Sequence, residues 1–251
     1  MNQGDGEDCG VPALLLAGGL GTRLRPLTDR VPKCLVPIDG RPLLDYWFDR
    51  FQEAGIQRVR INNHHLPDQV RVYIDEVNSR GFFRVEEAYE PKLLGSAGTV
   101  TANRDLADGA RDVLIVYGDN LSSVDLGAML RYHRSHDDPF TMLLFHAPVP
   151  ETCGIAQMGE DGRIVAFIEK PEKPASDLAN AGVYVVSAEA YREIADMGGF
   201  DLGFDVLPRF SGRMRGFAFD GYHRDIGSPE ALELAQREVA EALRGRVGGA
   251  R

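Results

Sequence analysis

The stretch "LLLAGGLGTRLRPLT", residues 14–28, starts as an apolar run and changes at Gly18 into a loop of glycines and arginines. The apolar run predicts a short buried strand over Val11–Ala17. Glycines that follow a strand directly let the backbone pass close to a neighbouring group. The stretch therefore predicts a strand that ends in either a binding loop or a structural turn.

Two well-known glycine loops do not fit this stretch. A dinucleotide-binding loop would need a third glycine where Leu24 stands, and a Walker loop would need a Gly-Lys-Ser/Thr tripeptide, which the sequence lacks. What remains is a turn that offers backbone N–H groups, the Thr22 hydroxyl and the Arg23 guanidinium. Because amides and guanidinium groups bind oxyanions well, this chemistry favours a phosphate site over a purely structural turn.

Strand and helix patterns alternate downstream of this loop as far as residue 135. The stretch "DVLIVYGDN", residues 112–120, holds five consecutive apolar residues, which is typical of a central parallel strand covered on both faces. The later patterns are strands, and Asp161-Gly162 between two of them indicates a hairpin. We therefore expect an α/β fold, a single-domain Rossmann-like open mixed sheet flanked by helices, with a more antiparallel C-terminal half. Helices are predicted over 42–55, from Pro67 to about Val77, from Ser96, over Asp125–His133, and from Pro229 with Ser228 as N-cap; further strands are predicted at 57–62, 82–90, 140–147, 154–170 and 179–187.

Composition and charge narrow the class of protein. The chain has 251 residues, of which 43% are hydrophobic and 26% charged, which predicts one domain over residues 10–243 with loose termini at 1–9 and 244–251. No apolar run approaches the ~20 residues that a membrane helix needs, and the first ten residues do not resemble a secretory signal. The three cysteines, Cys9, Cys34 and Cys153, have neither metal nor disulfide spacing, which favours the cytoplasm. A net charge of −10 argues against nucleic acid as a partner, although Arg23, Arg25, Arg30 and Lys33 form a local basic cluster.

Further stretches point to a known family. "LAGGLGTRLRPLT" with "VPKCLVPIDGRPLLDY" resembles the signature of the sugar-1-phosphate nucleotidyltransferases, or nucleotide-sugar pyrophosphorylases. Five later stretches resemble the remaining blocks of this family, in the same order: "YEPKLLGSAGTV" (89–100), "YGDN" (117–120), "CGIAQMGEDGRIVAFIEKP" (153–171), "NAGVY" (180–184) and "YHRDIGSPE" (222–230). The resemblance spans about residues 12 to 240, and "LGSAGT" with the compact length favours the mannose- and heptose-1-phosphate guanylyltransferase branch.

The resemblance implies a reaction between a nucleoside triphosphate and a sugar 1-phosphate that gives a nucleoside diphosphate sugar and pyrophosphate. The sugar phosphate oxygen attacks the α-phosphorus in line, so that no protein nucleophile is needed. The site must hold two polyanions together and stabilise charge on the transferring group. GTP is the favoured nucleotide, and Mg²⁺ the expected cofactor.

The family motifs assign residues to these tasks. Arg23 is expected to clamp the triphosphate, Lys33 to reach the α-phosphoryl group, and Lys170 to meet the phosphate of the acceptor. Asp119 and Asp225 match the pair that holds Mg²⁺, an ion that prefers a few hard oxygen ligands. The remaining expected contacts are Leu16, Ala17, Gly18, Gly19, Gly21, Thr22, Gly95 and Gly98 for the nucleotide, and Gly154, Glu169, Asn180 and Gly182 for the sugar.

Some questions stay open from the sequence. The same chemistry could act on a cyclitol phosphate or phosphocholine, and a catalytically silent homologue could bind nucleotide sugars as a regulator. Glu169 and Asn180 suit a polyol better than a quaternary ammonium, and Arg23, Lys33 and both aspartates are retained. His223 and Arg224 precede Asp225 where an aromatic residue is common; whether His223 contacts a ligand is undecided, and a satisfied surface histidine is favoured. His64 and His65 are interpreted as structural or surface residues. Homo-oligomer formation also stays open.

Overall fold

The computed structural model describes residues 10–244. Of the segments predicted to be loose, 1–9 and 244–251, only Arg244 is described, and it ends a helix; the rest lies outside the described residues. Six α-helices and thirteen strands make up this part of the chain. The helices are α1 (Leu43–Glu53), α2 (Pro67–Ser79), α3 (Gly95–Ala102), α4 (Leu126–His133), α5 (Ala188–Met197) and α6 (Pro229–Arg244). The strands are β1 (Ala13–Leu16), β2 (Pro37–Ile38), β3 (Arg41–Pro42), β4 (Arg58–Asn63), β5 (Arg84–Tyr89), β6 (Asp112–Tyr117), β7 (Asn120–Ser122), β8 (Phe140–His146), β9 (Gly154–Met158), β10 (Ile164–Glu169), β11 (Leu178–Ser187), β12 (Met214–Ala218) and β13 (His223–Asp225).

One mixed sheet of nine strands forms the centre of the fold. Strand β1 pairs in parallel with both β4 and β6, and β4 pairs in parallel with β5. On the other side of β6, strand β11 runs antiparallel and is followed by β9 and β10, while β8 and β12 branch from β11. The parallel first half and more antiparallel second half confirm the predicted fold class.

The core lies on both faces of this sheet. In β1, Ala13, Leu14 and Leu15 are completely buried, as the apolar run predicts. Leu15 packs in the cluster that holds Trp47 of α1, whereas Leu14 packs in the cluster on the opposite face. Alternate side chains of one strand therefore serve two helix layers.

The structure differs from the sequence prediction at two helices, α3 and α5. Helix α5 follows β11 directly, with the Ser187 hydroxyl accepting a hydrogen bond from the N–H of Ala190, and was not predicted from the sequence. Helix α3 begins at Gly95, one residue earlier than predicted, so that Ser96 lies inside its first turn. The predicted N-cap at Ser228 is confirmed, because its hydroxyl accepts a hydrogen bond from the N–H of Ala231.

A small antiparallel ladder outside the main sheet matters most for the site. Strand β13 pairs with β7, so that Asp225 lies opposite Asn120. The N–H of Ile226 also donates to the carbonyl of Asp119, at 3.0 Å. This ladder brings Asp225 to the end of β6, the central strand.

None of the helices in the described part of the chain is both long and apolar enough to cross a membrane.

Candidate functional site

Two cavities lie at the carboxyl end of β6. The first, of about 280 Å³, is lined by residues of the antiparallel half, and the second, of about 200 Å³, is lined by the loop after β1 and by α3. Tyr117, Asp119 and Asp201 line both of them. Ligands of open α/β sheets bind at the carboxyl ends of the strands, and a molecule in each cavity would meet the other at these three residues.

The glycine loop forms one wall of the second cavity through Leu16, Gly18 and Gly19. Its conformation is held at its start by Asn62, whose Oδ1 accepts a hydrogen bond from the N–H of Ala17 at 2.6 Å. Further along, Gly21 has φ of +62°, and its carbonyl accepts a hydrogen bond from the Thr28 hydroxyl. A side chain on Gly21 would be strained by this φ, so that glycine is required for the loop to fold back.

A buried polar network connects the glycine loop to the opposite wall of the second cavity. The Asn62 amide donates to Oε1 of Glu90 at 3.0 Å and to the Thr99 hydroxyl at 3.2 Å. Oε2 of Glu90 accepts a hydrogen bond from the N–H of Leu94, just before α3. Because Glu90 is only 3% exposed, these donors compensate for the burial of its charge. The network ties the end of β4 to both walls of the cavity.

The segment 198–205, which runs from the end of α5 into a π-helical turn at Leu202–Val206, closes the second cavity from the side of α3. The carbonyl of Phe200 accepts a hydrogen bond from the N–H of Ala97, and the Ser96 hydroxyl accepts one from the N–H of Leu202. Gly95 has φ of +75° and lies directly against Phe200. Gly95 lines the cavity, whereas the structure places Gly98 outside it, on the face of α3 that packs near Leu94 and Gly199.

A cluster of charges marks the meeting point of the two cavities. Nζ of Lys33 lies 2.6 Å from Oδ2 of Asp119 and 3.2 Å from Oδ1 of Asp225. Nη2 of Arg23 lies 3.6 Å from Oδ2 of Asp225. Burial alone would lower the pKa of Lys33, but the two carboxylates outweigh burial and raise it above its ordinary value. The ammonium group is therefore charged at neutral pH.

The chemistry of this cluster fits a magnesium ion. Two carboxylates that converge on one ammonium group also converge on one position for a cation, and Mg²⁺ is commonly held by one or two carboxylates together with substrate phosphates. Among residues 10–244 there is no group of three or more His, Cys, Asp and Glu side chains that could hold a metal by themselves. The donor set thus suits an ion that enters with phosphate ligands rather than one bound by the protein alone.

The first cavity contains every residue that the sequence assigned to the acceptor: Gly154, Glu169, Lys170, Asn180 and Gly182. Burial raises the pKa of Glu169, whose carboxylate lies against Gly154 and Gly203. Lys170 is mostly exposed at the rim, 4.0 Å from Glu169. A register shift in β11 follows Asn180, whose Oδ1 accepts a hydrogen bond from the N–H of Gly182. These side chains offer a cation, an anion and an amide to one ligand.

The three histidines near the site, His223, His64 and His65, have different surroundings. His223 lines the first cavity with its ring 4.5 Å from that of Phe145, and burial lowers its pKa to about 4. Its Nδ1 is buried, with no hydrogen-bond partner among the described residues, so that the favoured expectation of a satisfied surface histidine is wrong. His64 and His65 instead contact backbone carbonyl groups, of Glu90 and Thr28 respectively, as the structural interpretation expects.

Comparison with known proteins agrees with this geometry. The sequence matches the nucleotidyl transferase family over residues 12–242. The chain belongs to this family. It is 31% identical over 250 residues to the mannose-1-phosphate guanylyltransferase of Mycobacterium tuberculosis, covering 95% of this chain and 68% of that protein. It is 32% identical over 253 residues to the glucose-1-phosphate adenylyltransferase of Thermotoga maritima, covering 90% of this chain and 60% of that protein. The chain thus spans between three fifths and about two thirds of the length of these relatives.

A solved structure supports the fold. The crystal structure of a Bacillus anthracis protein assigned as a glucose-1-phosphate thymidylyltransferase, in complex with a sucrose, superposes with a TM-score of 0.81 at 22% identity. The match covers 93% of this chain and 96% of that chain. The predicted membership of the sugar-1-phosphate nucleotidyltransferase family and the predicted fold are both confirmed.

The structure also adds residues that the sequence did not single out for the site. Asn62 and Tyr117 stand at the ends of β4 and β6, which is the one signal that could have found them, because ligands gather at strand ends. Asp201 and Phe200 belong to a loop with no recognisable pattern. Of the predicted nucleotide contacts, Ala17, Gly21 and Thr22 shape the loop without lining either cavity.

Proposed function

We propose that this chain transfers a nucleotidyl group from a nucleoside triphosphate, with GTP favoured, to a sugar 1-phosphate, and releases pyrophosphate. One observation carries the proposal: two cavities with different linings meet at Tyr117, Asp119 and Asp201, beside the cluster formed by Lys33 and Asp225. Two substrates that must exchange one group need this arrangement. The guanylyltransferase and adenylyltransferase activities named for the relatives support the same chemistry.

In this proposal the nucleotide occupies the second cavity and the acceptor the first. The backbone of Gly18 and Gly19 would face the nucleotide, and Arg23 would clamp its phosphates. Lys170 would hold the acceptor phosphate, and Glu169 and Asn180 its ring hydroxyls. An oxygen of the acceptor phosphate then forms a bond to the α-phosphorus as the bond from that phosphorus to the pyrophosphate oxygen breaks.

Lys33 is proposed to stabilise the charge that develops on the α-phosphoryl oxygens. Asp119 and Asp225 would hold Mg²⁺. When bound, this ion would neutralise phosphate charge and favour departure of pyrophosphate. We also propose that the enzyme works in the cytoplasm, as the number and spacing of its cysteines favour.

The test is pyrophosphate release measured with each of the five common nucleoside triphosphates against mannose, glucose and heptose 1-phosphates, a cyclitol phosphate and phosphocholine. GTP with a hexose or heptose 1-phosphate is expected to give the highest kcat/KM. Turnover with the cyclitol phosphate or phosphocholine alone would move the acceptor outside the sugars. No turnover with any pair would overturn the enzymatic proposal and favour a regulatory homologue.

A variant checks the proposed metal ligand. Asp119→Asn is expected to lower kcat/KM about 100-fold or more, because charge stabilisation at the transferring group is the largest contribution to such catalysis. Asp220→Asn is the matched control, since Asp220 is an exposed aspartate in the connection between β12 and β13. Near-normal rates in Asp119→Asn, with the control also unchanged, would remove this residue from the site.

A further inference from the structure

The ammonium group of Lys33 occupies the position between the two proposed metal ligands. Its side chain is only 8% exposed, and it contacts Asp119 and Asp225 at the same time. Arg23 approaches Asp225 from a second side. The two residues proposed to contact the triphosphate, Arg23 and Lys33, are thus paired with the residues proposed to bind metal.

A divalent cation between Oδ2 of Asp119 and Oδ1 of Asp225 would take the position that this ammonium group occupies. Mg²⁺ binds oxygen at about 2.0–2.1 Å, and the Lys33 nitrogen already lies 2.6 Å from the nearer carboxylate oxygen. The two positive charges would also repel each other at short range. A cation that binds these two oxygens must therefore move the side chain of Lys33 away.

Moving the lysine alone is unfavourable. A buried charge that loses its partners costs far more than an exposed one, and the side chain of Lys33 is almost fully buried. Its backbone is fixed in a turn of 3₁₀-helix, Lys33–Leu35, that directly follows Pro32, so that the displaced ammonium can move only about its own stem. A new anion within that reach would restore its pairing, and a triphosphate in the adjoining cavity supplies one.

We propose that Lys33 and the divalent cation compete for Asp119 and Asp225, so that the cation enters together with the triphosphate, which takes over the displaced lysine. The inference rests on the proposed metal site. It makes binding of cation and nucleotide cooperative, because each removes the obstacle to the other, and such linkage is commonly five- to about 150-fold in affinity. It also means that the free protein binds the cation weakly.

The test measures binding of Mn²⁺, a paramagnetic substitute for Mg²⁺, by the loss of its free electron paramagnetic resonance signal. Wild type is compared with Lys33→Met, with and without GTP and always without acceptor, after correction for Mn²⁺ bound by GTP in solution. Lys33→Met is expected to bind Mn²⁺ about tenfold more tightly than wild type when no nucleotide is present. GTP should then strengthen binding by wild type much more than by the variant.

Three controls separate competition from general charge effects. Lys170→Met removes a positive charge from the same cleft without touching either aspartate, and should bind Mn²⁺ like wild type. Lys33→Arg keeps the charge and should also bind weakly. Adding Asp119→Asn to Lys33→Met should abolish the gain in Mn²⁺ affinity that Lys33→Met shows over wild type. If Lys33→Met unfolds, as judged by circular dichroism, Lys33→Gln gives a second neutral variant.

Two results would overturn the inference and leave the metal site intact. One is an equal affinity for Mn²⁺ in wild type and Lys33→Met when no nucleotide is present, provided that adding Asp119→Asn abolishes the binding in both. The other is an equal gain in Mn²⁺ affinity over wild type in Lys170→Met and in Lys33→Met. If no variant shows Mn²⁺ binding that depends on Asp119, even with GTP, the proposed metal site falls and the competition falls with it.

Discussion

Asn62 offers the sharpest test of how the fold builds the nucleotide cavity. It makes three side-chain hydrogen bonds, to the N–H of Ala17, to Glu90 and to Thr99, and is 4% exposed. Its neighbour Asn63, completely buried in the same strand, makes one, to Oε1 of Glu87, and its Oδ1 has no partner among the described residues. Truncation to alanine removes the same atoms at both positions, so that the difference between the two variants isolates the hydrogen bonds.

The magnitude follows from these partners. Asn62→Ala leaves the N–H of Ala17 without its acceptor and takes one donor from the buried Glu90. A buried group left unsatisfied costs about 1–3 kcal/mol, and a hydrogen bond to a charged group is worth about 1.5–3 kcal/mol. We expect Asn62→Ala to lower the free energy of unfolding by about 3 kcal/mol, against about 1 kcal/mol for Asn63→Ala. Because the start of the glycine loop is also released, KM for the triphosphate should rise about tenfold in Asn62→Ala alone, a change of about 1.4 kcal/mol.

Urea unfolding followed by circular dichroism and by fluorescence of Trp47, the one tryptophan, gives the free energies, with a shared slope for all variants. Pyrophosphate release gives KM for each substrate. Equal destabilisation in the two variants, with an unchanged KM for the triphosphate, would refute the argument that Asn62 couples β4 to the glycine loop.

Two further outcomes follow from close contacts and from charge. Gly203→Ala should raise KM for the acceptor about tenfold and leave KM for the triphosphate unchanged, because the new methyl group would lie 2.6 Å from Oε2 of Glu169. Steady-state kinetics with each substrate varied in turn measures both KM values. An equal rise in both would contradict this prediction. Asp112 is buried, which raises its pKa, but the contact with His133 at 3.6 Å and the hydrogen bond from Arg134 at 2.9 Å outweigh burial and lower it. Its contribution to stability is therefore full above the unfolded pKa of about 3.9 and is lost as pH falls through the lower folded value. The gap in unfolding free energy between wild type and Asp112→Asn, about 2 kcal/mol at pH 7, should narrow as pH falls below about 3.9 and close below the folded pKa. A gap that widens in acid would contradict the assignment.

Local patterns explain what could be predicted from the sequence. The apolar run of β1, the glycines after it and the Ser-Pro start of α6 depend on neighbours a few residues away, and each was found where expected. Asn62 was missed because its partners Ala17 and Thr99 lie 45 and 37 positions away. A lone asparagine at a strand end carries no sign of such partners, which only the packed sheet provides.

The charge cluster shows the same limit more strongly. Lys33 and Asp225 are separated by 192 positions, yet they lie within hydrogen-bonding distance. The family blocks named both residues but gave no sign that they contact each other. Their contact follows from the ladder of β7 and β13, two strands of three residues each that are too short to predict from alternation.

Topology also accounts for where the two cavities meet. Strand β6 pairs in parallel with β1 on one edge and antiparallel with β11 on the other, so that it is the boundary between the two halves of the sheet. Strand β1 leads into the glycine loop, and β11 carries Asn180 and Gly182, so each half supplies one cavity. Tyr117 ends β6, Asp119 lies two residues further along the chain, and both line the two cavities. The proposed reaction centre therefore lies at the change in strand direction, because that is where a chain of this topology can present two different linings to one point.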